Sequence, residues 1–170
     1  MPKHNEIAAK ISSILAANPL NIADFQPIFT EISQQLNQII GHKLCTFTVI
    51  HPSDEYVIRL FSNQQGDYAL EDTKPMVKDQ WSVQVIENAT PFCAATPAEM
   101  QPVLPDYQKL VDMGLGSMIN IPICQNNKTI GTANLLDADG AYKNVKLTPI
   151  IKCCQLAAPI FAAYRKYNCN

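Results

Sequence analysis

Only 16% of the 170 residues are charged and neither sign prevails: 13 Lys and Arg stand against 15 Asp and Glu, a formal net charge of −2. A chain without basic excess has little with which to neutralise a phosphate backbone, so no nucleic acid is expected as partner. No window approaches the ~20 consecutive apolar residues of a membrane-spanning helix. The opening Met1-Pro2-Lys3-His4-Asn5-Glu6 is followed by apolar positions broken at Lys10, Ser12 and Ser13, which rules out the apolar run of a secretory signal. The chain therefore reads as cytoplasmic, with no membrane. Six cysteines (Cys45, Cys93, Cys124, Cys153, Cys154, Cys169) include no C-x-x-C, and His4, His42 and His51 stand at no ligand spacing from a second His or a Cys pair. Free thiols and no metal are expected. With no G-x-S-x-G, no phosphate-cradling glycine loop and no H-E-x-x-H, no catalytic constellation assembles, and no cofactor is expected.

What the sequence does hold is a core. At 47% hydrophobic, a chain of this length buries roughly two-thirds of its unfolded surface in one domain without staples. Ile7, Ile11, Ile14 and Leu15 lie on one face of a helix that should stop at Asn18-Pro19, so residues 1–23 read as a helical arm and 24–170 as the domain proper. From Asp24, an expected N-cap, the apolar residues Ile28, Phe29, Ile32, Leu36 and Ile40 recur at helical spacing as far as Gly41. The period then changes to that of strands. Residues 44–50 and 56–61 form a hairpin about His51-Pro52-Ser53-Asp54, and residues 117–124 and 129–136 form a second about Asn126-Asn127, asparagines suited to positive φ. Between them come a helix over 79–88, a strand over 91–95 and a helix over 106–113, punctuated by four prolines. A last helix starts with Thr148 as N-cap and Pro149 at its first position, and Pro159 should kink it. Strands, irregular cover, strands, and helices at both ends describe an α+β domain with a mostly antiparallel sheet of five or six strands.

The run Gly114-Leu115-Gly116-Ser117-Met118-Ile119-Asn120-Ile121-Pro122-Ile123, followed by Ile130-Gly131-Thr132-Ala133-Asn134-Leu135-Leu136, resembles the C-terminal hairpin of GAF domains. The resemblance extends over about residues 25–164 and is greatest to small bacterial stand-alone members. It implies a GAF-like, PAS-related fold with terminal helices on one sheet face and an irregular helical cover and ligand pocket on the other. Counting back from a two-residue Asn126-Asn127 turn puts Ile119 on the side of Asn134 and Ile121 on the side of Thr132. The resemblance makes the face of Ile119, Ile121, Thr132, Asn134 and Leu136 the pocket floor, with Asn120 turned towards the helices. Members that bind cyclic nucleotides carry Asn-Lys-x-Phe-Asp where this chain has Asn134-Leu135-Leu136-Asp137-Ala138, and bilin attachment commonly uses a Cys followed by His, which no cysteine here is.

Asn134 is the principal polar anchor, since an amide among apolar neighbours needs a partner, either a ligand or the covering loop. Trp81 either roofs the core or walls the pocket against a flat ligand. Arg59 interrupts an apolar strand, so it is either a solvated arginine or an anion ligand. Asp106-Tyr107 reads as a helix cap or a polar rim, and Asp137 and Asp139 before Gly140 as turn chemistry. Three functions follow: a small-molecule-sensing module that signals to a separate protein; a redox enzyme like the free methionine sulfoxide reductases, with Cys93 as its thiol; or a structural, dimerising domain. The apolar stripes of both terminal helices, the second running Ile150, Ile151, Cys154, Ala158 and Phe161, predict a homodimer.

Overall fold

The computed structural model describes residues 2–17 and 20–169. Helix α1 (Pro2–Ala16) ends short of Asn18-Pro19, the expected stop, which lies outside the described residues. Helix α2 (Ile22–Ile39) buries Phe25, Ile28, Phe29, Ile32 and Leu36. It starts three residues earlier than expected because Asn21, not Asp24, is the cap: the Asn21 side chain accepts the Ala23 N–H at 3.0 Å. Asp24 sits in the first turn, where its charge still suits the helix dipole. Gly41, at φ +80°, turns the chain out of the helix.

Strands β1 (Leu44–Ile50) and β2 (Tyr56–Ser62) form the first hairpin, and β5 (Ser117–Gln125) and β6 (Lys128–Asp137) the second, with Asn126 and Asn127 at φ +51° and +62°. Two short strands complete the sheet: β3 (Thr73–Pro75), which the sequence did not announce, and β4 (Phe92–Ala94). The order is β3-β2-β1-β6-β5-β4, an open antiparallel sheet of six strands. Pro122 falls outside the reach of β4, which pairs only with Met118–Asn120, so its missing N–H withholds nothing from that neighbour.

The cover begins with α3 (Gln80–Ser82), capped by Asp79 in a reciprocal box with Ser82, and widens directly into a π turn (Val83–Glu87) where a plain α-helix was expected. Short helices α4 (Pro97–Met100) and α5 (Tyr107–Asp112) follow. Asp106 occupies the cap position of α5 without making a side-chain cap bond. The final helix is α6 (Leu147–Cys154), a 3-10 turn (Gln155–Ala157) and α7 (Ala158–Asn168). Its start lies at Leu147, so Thr148 and Pro149 stand inside the first turn rather than at the cap; a proline there still forfeits no helical bond. The tightened turn falls where the Pro159 ring would meet the Gln155 carbonyl.

One face of the sheet, here called inner, carries α2, α6 and α7, with α1 laid across α2 and α7. Its centre is an aromatic cluster: Phe29 stacks on Phe47 at 5.2 Å, and Phe161 meets Phe47 edge-on at 6.3 Å. Gly131 makes this possible, because a Cβ there would lie 2.3 Å from the Phe161 ring. The stripes thought to be left over for a homodimer are consumed within the chain: Ile7, Ile11, Ile150, Cys154 and Phe161 are all buried in this core, with Ile14, Leu15, Ile151 and Ala158 packed against it. The same packing accounts for the run Leu147–Asn168, the one helical stretch among the described residues long and apolar enough to cross a membrane by composition. Its Ile150, Cys153, Ala157, Ile160 and Phe161 belong to the core of the domain.

The second hairpin departs from simple counting at one residue. Cys124 pairs with Thr129, but Ile123 pairs with Gly131, so Ile130 has no partner and forms a β-bulge. From there on the register is displaced by one, and Asn120, not Ile119, faces Asn134. Ile119 and Ile121 therefore turn inwards, fully buried beneath the terminal helices, and leave the expected pocket floor.

Candidate ligand site on the outer sheet face

Strand alternation and the bulge together set transverse rows of side chains on the other, outer face. One row runs Ser62, Thr46, Asn134, Asn120 and Phe92 across five strands. Its neighbour runs Arg59, Thr48, Thr132 and Pro122. A third, Leu44, Leu136 and Met118, is apolar and lies under α4 and α5 with Ala94, Met100, Leu110 and Leu115. Thus Asn134, Thr132, Leu136 and Arg59 do share a face, and Trp81 stands over it from α3.

The polar rows are wired together. The Trp81 Nε1–H donates to Asn120 Oδ1 at 2.9 Å, and Asn120 Nδ2 donates to Asn134 Oδ1 at 2.8 Å. Asn134 Nδ2 in turn donates to the hydroxyls of Thr46 and Thr48 at 3.2 and 3.4 Å, and Thr48 shares a 2.8 Å hydrogen bond with Thr132. Asn120 uses one donor and one acceptor and keeps a second of each, whereas Asn134 spends both N–H groups on Thr46 and Thr48 and keeps a second acceptor position on its oxygen. Asn120 and Thr132 are buried, whereas Trp81, Asn134 and Thr48 are half-buried, so the spare capacity that meets the surface lies at Asn134 and Thr48. Arg59 closes the far end. It pairs with Asp72 at 3.2 Å, donates to the Ala69 carbonyl at 3.0 Å and stands 5.4 Å from the Tyr68 ring centroid, while its Nε is buried without a partner. Burial pushes the Tyr68 phenol up, and the Arg59 charge partly offsets this.

In place of a mostly apolar cavity, the floor beneath Asn134 is thus a hydroxyl and carboxamide array. Two clefts of about 460 Å³ lie elsewhere, one walled by Met76, Val77, Ile86 and Lys128, the other between α2 and the end of β2; Asn134 lines neither. Thr46, Thr48 and Tyr68 were missed in the sequence, and Asn120, expected to face the helices, lies opposite Asn134 on the outer face. The Thr-x-Thr alternation of β1 among Cys45, Phe47 and Val49 was the signal available for two of them.

Cys93 is exposed on β4 opposite Ile119, hence on the inner side of the sheet, away from the polar rows. Burial of its sulfur raises the thiol above its usual value, which lowers the thiolate fraction a nucleophile requires. All six cysteines are free. Asp137 accepts the Ala138 N–H at 2.7 Å and Ser117 donates to the Ala138 carbonyl at 2.8 Å, which makes this segment a turn. Among the described residues no group of three His, Cys, Asp or Glu is placed to hold a metal.

No family model matches the chain, and no curated protein matches it. Solved structures do. The GAF domain of an Acinetobacter phosphoenolpyruvate-protein phosphotransferase superposes with a TM-score of 0.69 at 9% identity, over 97% of this chain and 93% of that one. The GAF domain of a Bacillus halodurans two-component sensor histidine kinase gives 0.62 at 16% identity, over 84% and 96%. A segment of a methyl-accepting chemotaxis protein gives 0.62 at 12% identity over 99% of both chains. The chain has the GAF-domain fold.

Proposed function

We propose that this chain is a sensory module, working in the cytoplasm, whose outer sheet face binds a small polar molecule and passes its presence to a separate protein. The observation that carries the reading is the side-chain chain Trp81–Asn120–Asn134–Thr48–Thr132, a half-open polar array on a sheet face whose other side is wholly apolar. Folding alone gains little from such an array, because each of these bonds replaces one to water for about 0.5–1.5 kcal/mol. A ligand offering donors and acceptors finds there a preorganised set of partners. Kinship of fold with domains of a sensor kinase and a chemotaxis protein supports a sensing role.

Trp81 is the only tryptophan and its indole N–H belongs to the array, so its emission reports the site directly. Native mass spectrometry of the purified protein should show a co-purifying small molecule. Its removal should shift Trp81 emission, its return should restore it, and Asn134→Leu should abolish the response. Emission unchanged by removal, or a response unaffected in Asn134→Leu, would defeat the reading.

A further inference from the structure

The cleft of about 460 Å³ that includes Val77 opens where the turns of the two hairpins meet the cover. Residues 76–79 cross here from the edge strand β3 to α3, held to the first turn by the Met76 N–H, which donates to the Glu55 carbonyl at 2.8 Å. Met76, Val77 and Ile86 supply the apolar part of the lining. Val77 is 66% exposed, the most open large apolar side chain among the described residues, and beside the half-buried Met76 and Ile86 it leaves an apolar surface open at the cleft.

Two ion pairs stand at the rim. Lys78 Nζ lies 3.3 Å from Glu87 Oε1, and Lys128 Nζ lies 3.4 Å from Asp54 Oδ2. All four side chains are more than half exposed, so a ligand can reach them, and each pair adds little to folding and opens at little cost to an incoming charge. The pairs are not equivalent. Arg165 of α7 lies 4.0 Å from the other oxygen of Asp54, so one carboxylate there serves two cations and Lys128 is the member with charge to spare. Glu87 pairs, among the described residues, with Lys78 alone, whose side chain is the most exposed of the four. At the lip Asn127 is exposed, and its carboxamide makes no hydrogen bond among the described residues.

We propose that this cleft binds a short peptide with free termini and apolar side chains, its carboxylate on Lys128, its ammonium on Glu87, its side chains on Met76, Val77 and Ile86, and its peptide group on the Asn127 carboxamide. The volume is that of a small-molecule site and holds a compound of this class. The ligand carboxylate takes the place of Asp54, which keeps Arg165, and the ligand ammonium takes the place of Lys78, which turns into water. A zwitterion thus leaves the charge balance of the rim as it was. An anion would satisfy Lys128 but meet Glu87 as a like charge, a cation would satisfy Glu87 but meet Lys128, and a neutral apolar molecule would use neither. Asn134 does not line this cleft, so the proposal stands apart from the outer-face reading.

The test is a titration of the isotopically labelled protein with leucyl-leucine, with its N-acetyl derivative, its C-terminal amide and glycyl-glycine as controls. Leucyl-leucine should give saturable amide shifts centred on residues 76–78, 82–87 and 127–129, with Kd at or below roughly the millimolar range. Blocking either terminus, or removing the apolar side chains, should weaken binding by roughly fivefold or more. Lys128→Ala and Glu87→Gln should each weaken leucyl-leucine to a similar extent, and each should abolish one preference: Lys128→Ala should bind the amide as well as the free peptide, and Glu87→Gln the N-acetyl form as well as the free peptide. Val77→Ser should weaken binding a few-fold. All three substitutions fall at exposed positions, so thermal stability should be unchanged. Absence of saturation by leucyl-leucine, blocked forms or glycyl-glycine binding as tightly as the free peptide, shifts centred on the rows around Asn134 instead, or an isotherm indifferent to Lys128→Ala and Glu87→Gln would overturn the proposal.

Discussion

The two faces of this sheet are built from alternate residues of the same strands, and they have opposite characters. On β1, Cys45, Phe47 and Val49 point into a packed core, while Thr46 and Thr48 join a hydrogen-bonded array. On β6 the alternation is Ala133 and Leu135 against Thr132 and Asn134. The inner face holds the fold by area and close packing, which tolerate no change of volume. The outer face holds little and is preorganised for something else. A strand can serve both ends because period-two alternation separates them completely, at the cost that a one-residue slip would exchange the two.

Alkaline pH should separate the faces most. Burial raises the Cys45 and Cys153 thiols from 9.0 to about 12 and lifts Cys154 as well, whereas the threonine hydroxyls and carboxamides of the outer array do not titrate in this range. Below pH 9 folded and unfolded chains both keep these protons. Above it the unfolded chain sheds them while the folded one holds them, so stability should fall between pH 9 and 12 by roughly 1 kcal/mol per pH unit for each thiol. Denaturant titrations across that range should show the slope, reduced in Cys45→Ala; a flat profile would mean these sulfurs are solvated. Phe47→Ala, at the centre of the aromatic cluster, should cost about 3–5 kcal/mol in urea unfolding. Gly131→Ala forces a methyl against Phe161 and the Thr48 carbonyl and should cost about 1–3 kcal/mol, or more if α7 cannot shift. Asn134→Leu strands the Asn120 donor and should cost only about 1–2 kcal/mol while silencing the Trp81 response, a separation of stability from binding that no inner-face variant should reproduce. Least of all, Lys128→Ala removes an exposed pair with Asp54 and should change stability by under about 0.5 kcal/mol.

Much of this was legible in the residues. Helix α2 announced itself by spacing, both hairpins by β-branched runs around turn residues, and the Asn126-Asn127 turn by its need for positive φ. Asn134 and Thr132 were found because polar residues stand out on an apolar strand. The partners of Asn134 were missed because they depend on register. Nothing in Thr129-Ile130-Gly131 distinguishes a bulge from straight pairing, since Ile130 is as apolar as a paired strand residue would be, and one unpaired residue moved Ile119 and Ile121 inwards and brought Asn120 out. The stripes offered for a dimer were misjudged for a related reason: a stripe on a helix shows that something covers it, and α2, α7 and the sheet are cover enough. The cleft between α2 and the end of β2 has no sequence signature, because Gln26, His42 and Gln65 come together only through the docking of α2 on β2.

The π turn at Val83–Glu87 also bears on how chains of this fold can differ in length. Such a turn is what an α-helix becomes when it absorbs one additional residue without moving its ends. Here both ends are held, by the Asp79–Ser82 box before it and by the Asn88 N–H on the Val83 carbonyl after it, and Thr129 donates to the carbonyl of Val85 in its midst. A chain shorter by one residue at this place would keep Trp81 over the sheet and close into an ordinary helix. Insertions and deletions among proteins of this architecture should therefore gather in the helix that carries the tryptophan, where a change of length leaves the indole's neighbours in place.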